Sequence, residues 1–170
     1  TPLREALTVA AVTRAAEITA QGNDYRPVGE ILDERAFVNG LVGLMATGGS
    51  TNLVLHLPAM ARAAGVLLDL QDFADISEAV PLMAKVYPNG LADVNHFHAA
   101  GGLGFMIGQL LDAGLLHPDA KTVAGDGLSV YRQEPKLIDG KLVWQDGAAE
   151  TLNDKILRPA TEPFAKTGGL

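Results

Sequence analysis

Glycine and proline cut this chain into helix-length blocks, and that division constrains the fold more than any other feature. Leu3 to Ala20 contains neither residue and is rich in alanine, so nothing interrupts an α-helix there. Thr1-Pro2 supplies an N-cap followed by proline at the first helical position, where a missing N–H is harmless. Leu3, Ala6, Leu7, Ala10 and Ile18 predict a buried helical stripe, and Gly22-Asn23-Asp24 closes the element. After a short connection at Arg26-Pro27-Val28-Gly29, Asp33 reads as the N-cap of a second helix through Phe37, Val38, Leu41, Val42 and Met45. That helix stops at Thr47-Gly48-Gly49.

Ser50 is expected to cap a third helix, Thr51 to Ala64, ended by Gly65. Pro58 lies inside it, removes a hydrogen bond and should kink the axis. Leu70 to Met83 reads as a surface helix broken by Pro81, and Tyr87-Pro88-Asn89-Gly90 is a turn signal. Asp93 caps a short helix through His98, interrupted by Gly101-Gly102, and Leu103 to Ala113 forms a further helix ended by Gly114. Thr122-Val123-Ala124 reads as a strand. Leu137 to Trp144 reads as a hairpin with Asp139-Gly140 at a two-residue turn. Helices dominate, with a small hairpin in the C-terminal third, and the expected class is α/β and helix-rich. Thr167-Gly168-Gly169-Leu170 carries no stop signal, which reads as an internal cut.

Apolar residues make up 48% of the chain and charged residues only 19%, the balance of a folded domain rather than a disordered segment. The 170 residues fit one domain of ordinary size. A net charge of −7 without any basic run argues against a nucleic-acid partner, because phosphate contacts along a nucleic acid need clustered Lys and Arg. A small anionic substrate needs only a few local donors and is compatible with that balance. No apolar stretch approaches the roughly 20 residues of a membrane span, and Thr1 to Glu5 lacks the regions of a signal peptide. A cytoplasmic protein without a membrane partner is the expectation. There is no cysteine, so the chain offers no disulfide, no zinc thiolate, no thiol nucleophile and no thiolate for an iron–sulfur cluster.

Two stretches can carry chemistry. In Ala46-Thr47-Gly48-Gly49-Ser50-Thr51-Asn52, two glycines let the backbone curl while the following helix turns free N–H groups toward the same point. Such a corner can hold a carboxylate or phosphate, with Ser50, Thr51 and Asn52 adding side-chain hydrogen bonds. An ordinary loop with a serine cap explains the same residues, and the missing lysine weakens a nucleotide reading. The second stretch is Asn95-His96-Phe97-His98. On a helix, residues two apart point to nearly opposite sides and cannot share a metal ion, whereas on an extended segment they can. Met45, Met60, Met83 and Met106 fit core filling, and Arg4-Glu5, Asp33-Glu34-Arg35 and Asp72 with Asp75 fit solvated faces.

Gly48-Gly49-Ser50-Thr51-Asn52, followed by an apolar helix and Ala61-Arg62-Ala63-Ala64-Gly65, resembles the dihydroxy-acid/6-phosphogluconate dehydratase family. Val80-Pro81-Leu82-Met83-Ala84, Tyr87-Pro88-Asn89-Gly90 and Asp93-Val94-Asn95-His96-Phe97 resemble its phosphogluconate branch, the other branch showing an acidic pair where this chain has Asn95-His96. Thr1-Pro2-Leu3-Arg4, Ala113 to His117 and Thr122 to Gly125 extend the likeness over essentially all 170 residues. Pro58 departs from the family pattern and bears only on the straightness of its helix.

The resemblance implies that residues 1–170 are one partial domain, an internal piece of the N-terminal α/β domain, without the cluster-binding cysteines and the C-terminal β-rich domain. It implies a cytoplasmic, homo-oligomeric hydro-lyase acting on a small anionic sugar acid: 6-phospho-D-gluconate loses water to give 2-keto-3-deoxy-6-phosphogluconate in the Entner–Doudoroff route. The full-length parent would carry an iron–sulfur cluster, and this chain would bind no metal and be inactive alone. No catalytic residue is assigned, and Gly49, Ser50, Thr51, Asn52 and His96 are the candidate substrate-binding residues. The alternatives are a dehydratase of another sugar acid or dihydroxy acid, and a non-catalytic helical interaction module. Cysteines flanking this segment in the parent gene would discriminate enzyme from module.

Overall fold

A computed structural model describes residues 1–170. Seven α-helices precede one antiparallel hairpin: α1 (Pro2–Glu17), α2 (Val28–Ile31), α3 (Glu34–Thr47), α4 (Leu53–Ala63), α5 (Leu70–Ala79), α6 (Val94–Ala99) and α7 (Gly102–Asp112), then β1 (Gln133–Ile138) and β2 (Lys141–Asp146). A single 3₁₀ turn, Ser129–Arg132, leads into β1. The helix-rich reading and the small hairpin both hold, and Ile138 pairs with Lys141 across the Asp139-Gly140 turn. Asp139 and Gly140 sit at φ +49° and +75°, the left-handed pair that a two-residue hairpin demands.

The caps explain where helices start. The Thr1 side chain accepts from the Arg4 amide, the Asp33 side chain from Ala36, and Asp69 and Asp93 each form a reciprocal capping box. Proline explains one end: α5 stops at Ala79, because Pro81 drives Val80 into extended backbone at φ −106°, ψ 124°. α4 continues through Pro58 without interruption.

α3 is the centre of the core. Its Leu41, Val42, Leu44, Met45 and Ala46 join Phe73 of α5, Phe105, Met106 and Leu110 of α7, and Val80, Met83, Ala84, Ala100 and Leu157 in one buried cluster. Residues 82–86 run extended beside α3. Met83 and Ala84 donate to the Ala46 carbonyl, and Lys85 donates to Ile156 at 2.8 Å. Bridges Leu82–Ala165 and Ala84–Leu157 hold this segment antiparallel to the C-terminal stretch.

Five expectations need correction. Met60 does not fill the core: it is 50% exposed on the outer face of α4, whose only fully buried residue is Ala61. The α1 stripe is only half-buried, because its neighbours are the thin hairpin and a loop; no α1 residue is fully buried. The presumed connection after Pro27 contains the one-turn helix α2. The third helix begins at Leu53 rather than Thr51, because Ser50 to Leu53 first forms a tighter turn with Leu53 N–H bonded to the Ser50 carbonyl. Thr122-Val123-Ala124 is not a strand. The Thr122 hydroxyl donates to the Gly125 carbonyl and accepts from the Ala124 and Gly125 amides, so a local side-chain turn wins over a ladder.

Candidate functional site

The corner at Gly48 forms as the glycines demand. Gly48 ends α3 at φ +60°, ψ +46°, and both its amide and that of Gly49 bond to the Leu44 carbonyl. A side chain at Gly48 would collide with the Asn89 carboxamide, so the position needs glycine for space as well as for φ. Asn89 donates to the Gly169 carbonyl at 2.9 Å, and Gly169 N–H donates to Met45 at 3.1 Å, closing this face with chain.

On the other face, Ser50, Thr51 and Asn52 are exposed. The Ser50 hydroxyl oxygen accepts from the Asn52 amide at 3.2 Å, so it caps the turn instead of the helix. The amides of Leu53, Val54 and Leu55 are already bonded to Ser50, Thr51 and Asn52 carbonyls, while those of Ser50 and Thr51 have no partner in the chain. Two free backbone donors, fewer than a full helix start offers, are what this corner presents to an anion.

His96 lies elsewhere, on α6. Its Nδ1 sits 2.8 Å from the Asp93 carboxylate, and the Asp93 carboxylate also accepts from the Asn95 and His96 amides. The His96 backbone N–H, followed by the imidazole charge, holds the Asp93 carboxyl below its ordinary pKa. Because residues 94–99 are helical, His96 and His98 diverge, and no three His, Asp or Glu side chains converge anywhere on a metal-sized point.

His96 opens onto a cleft of about 520 Å³ whose wall includes Lys85, Asn89, Leu91, Lys155 and Ile156. The turn 87–90 and the start of α6 thus meet at one place, although Gly49, Ser50, Thr51 and Asn52 do not line it. Asn89 is the link, walling the cleft and covering Gly48 at once. The cleft is basic: neither Lys85 nor Lys155 has a carboxylate partner, whereas Arg14, Arg26, Arg35, Lys121, Arg132 and Lys136 are all ion-paired. Lys85 rests its ammonium 4.9 Å from the centroid of Phe164, and Arg158 its guanidinium 4.4 Å from the same ring.

Sequence reading missed both lysines. Lys85 falls between the two motifs at 80–84 and 87–90, and the antiparallel pairing of Ala84 with Leu157 is what brings residue 155 beside it. A roomier cavity, about 650 Å³ between α1 and the hairpin, is walled by Leu7, Ala10, Val130, Tyr131 and Trp144 and holds little that could do chemistry.

The family model for the N-terminal domain of dihydroxy-acid/6-phosphogluconate dehydratases matches residues 1–131. The chain belongs to the dihydroxy-acid/6-phosphogluconate dehydratase family. It is 58% identical over its whole length to a phosphogluconate dehydratase of Rhizobium meliloti (strain 1021), and 52% identical over 99% of its length to one of Escherichia coli (strain K12). A dihydroxy-acid dehydratase of Koribacter versatilis (strain Ellin345) is 37% identical over 86% of the chain. The chain spans 28% of the length of the first two relatives and 23% of the third. An iron–sulfur cluster requires thiolates, and these residues supply none, so they do not fit such a group.

Proposed function

We propose that this chain is part of a hydro-lyase that dehydrates 6-phospho-D-gluconate to 2-keto-3-deoxy-6-phosphogluconate, the Entner–Doudoroff reaction. One observation carries the reading: two of the three segments that resemble the phosphogluconate branch, 87–90 and 93–97, converge on a single cleft walled by Lys85 and Lys155. The names of the relatives support it. The reaction removes a proton from the carbon beside the carboxylate and hydroxide from the next carbon; the resulting enol becomes the ketone. This chain's part is to hold the anionic substrate, at the cleft through His96 and at the corner formed by Gly49, Ser50, Thr51 and Asn52.

Residues 1–170 are taken as a partial domain, and an iron–sulfur cluster in the whole enzyme would draw its cysteines from outside them. The whole enzyme is taken to be cytoplasmic and homo-oligomeric. A net charge of −7 supports the absence of a nucleic-acid partner, and no helix is long and apolar enough to cross a membrane. The test is competition: the whole protein, given equal 6-phosphogluconate and 2,3-dihydroxyisovalerate, should consume the phosphorylated acid first. Preference for the branched-chain acid reverses the assignment.

A further inference from the structure

We infer that Lys85 and Lys155, with His96 between them in the chain, form the subsite for the phosphate end of the sugar acid. This rests on the functional reading above and adds to it the groups that tell a phosphorylated substrate from an unphosphorylated one. Three observations support the assignment. Both lysines wall one cleft of about 520 Å³ together with His96 and Asn89, and neither forms an ion pair. The cleft wall carries these two lysines and no aspartate or glutamate, so its charge is positive in a chain of −7 net charge. The Lys85 ammonium lies 4.9 Å from the Phe164 centroid, on a ring it shares with Arg158, and this aromatic contact leaves its charge uncompensated. A carboxylate in that place would have cancelled it.

The cleft also has the rigidity that a phosphate subsite needs. Lys85 directly follows Met83 and Ala84, both fully buried, and its own amide is bonded to Ile156, the neighbour of Lys155. Lys85 therefore leaves a segment anchored to α3 by two bonds to the Ala46 carbonyl, and Lys155 leaves the turn 154–156 bonded to that segment. Asp93 occupies Nδ1 of His96 at 2.8 Å and leaves Nε2 without a partner in the chain. A phosphate dianion with three acceptor oxygens matches two ammonium groups and an imidazole; lysine binds such a group as a point charge, without the fork geometry that a planar carboxylate suits.

The experiment uses the whole enzyme with 6-phosphogluconate and with gluconate, which share a carbon chain and differ by the phosphate. For Lys85→Met and Lys155→Met, each single variant should raise KM for 6-phosphogluconate roughly tenfold and the double variant about a hundredfold, with kcat largely kept. Gluconate turnover should be unchanged, Lys85→Arg and Lys155→Arg should restore most of the affinity, and melting curves should confirm folding. An equal loss on both substrates would place the carboxylate, not the phosphate, at these lysines and overturn the subsite. So would an unchanged KM for 6-phosphogluconate in a folded double variant. A wild-type enzyme that dehydrates no phosphorylated sugar acid overturns the functional reading itself, and the subsite with it.

Discussion

Two regions of this molecule are held by different forces. Around α3, Leu41, Val42, Leu44, Met45 and Ala46 sit in a buried cluster shared with α5, α7 and the extended stretch at 80–84. Around α1, neither that helix nor α2 nor the β1–β2 hairpin contributes a fully buried residue. Ion pairs concentrate there instead: Arg14 and Arg26 share Asp24 at 2.6 and 2.8 Å, Arg26 reaches Asp126 at 2.8 Å, and Lys121 reaches Glu30 at 2.7 Å. Buried apolar side chains each stabilise by about 1.5–3 kcal/mol, whereas exposed ion pairs contribute little and are screened by salt. The difference teaches where precision resides. The cleft hangs from the α3 side, on backbone bonded to Ala46 and Ile156, and the α1 side is a looser flank.

The largest effect should come from opening the α3 side. Leu41 is 1% exposed, and Leu41→Ala removes its transfer free energy and leaves a cavity, a cost of about 2–5 kcal/mol. Hydrogen exchange on the whole protein should show protection falling together across α3, α5 and α7, with the cleft segment 82–86 following. If protection falls only in α1 and the hairpin, the division into scaffold and flank is wrong.

How far this division was legible in sequence depends on the element. The caps Thr1, Asp33 and Asp93 and the turn Asp139-Gly140 announce themselves, because each is a local device in which a side chain or a positive φ acts on residues at most three away. Local competition was harder to read: at Thr122 a hydroxyl captures the backbone that a β-branched run had suggested for a strand, and at Ser50 it closes a turn before the helix begins. The depth of α1 was not legible, since an apolar stripe says which face turns inward and not how much lies opposite it. His96 was singled out on a motif and does wall the cleft, yet Lys85 and Lys155 stand 70 positions apart in unremarkable surroundings. The Ala84–Leu157 bridge and the Lys85 amide bond to Ile156 bring their segments together, and no local pattern encodes that pairing.

Acid should separate the two regions less drastically than the cavity does. Hydrogen bonds from Arg26 and then Arg14 hold the Asp24 carboxyl of the flank below the usual carboxylate range; on the α3 side the lowered carboxyls, Asp112 beside Arg132 and Asp33 bonded by the Ala36 amide ahead of Arg35, sit at helix ends outside the buried cluster. A depressed folded pKa means the stabilisation is present above the unfolded value of about 3.9 and is lost as pH falls through the lower folded value. Protection at residues 14–26 should therefore hold from pH 7 to about 5 and drop below about 4. Leu41 to Ala46 should respond less, because no titrating group belongs to that buried cluster. At neutral pH, 1 M salt should loosen residues 14–26 in the same direction by screening the pairs. Equal loss in both regions would mean that the flank is not held by charge.

The smallest effect should come from the outer face of α1. Val9 is 67% exposed and Val12 66% exposed, on the opposite side of the helix from the half-buried Leu3, Ala6, Leu7 and Ala10. Val9→Ala removes two methyl groups that touch little and replaces a β-branched residue with the best helix former, so the two small terms oppose each other. If solvent covers this face in the whole protein, stability should change by less than about 0.5 kcal/mol, with a lean toward stabilisation. A loss above about 1 kcal/mol would show that apolar surface elsewhere in the protein packs on Val9, since that is the scale of burying its methyls. The flank would then be loose only within these 170 residues, and its contrast with the α3 side would close in the whole protein. Chemical denaturation of the whole protein, with Val9→Ala and Val12→Ala compared against Leu7→Ala on the inner face, decides between the two.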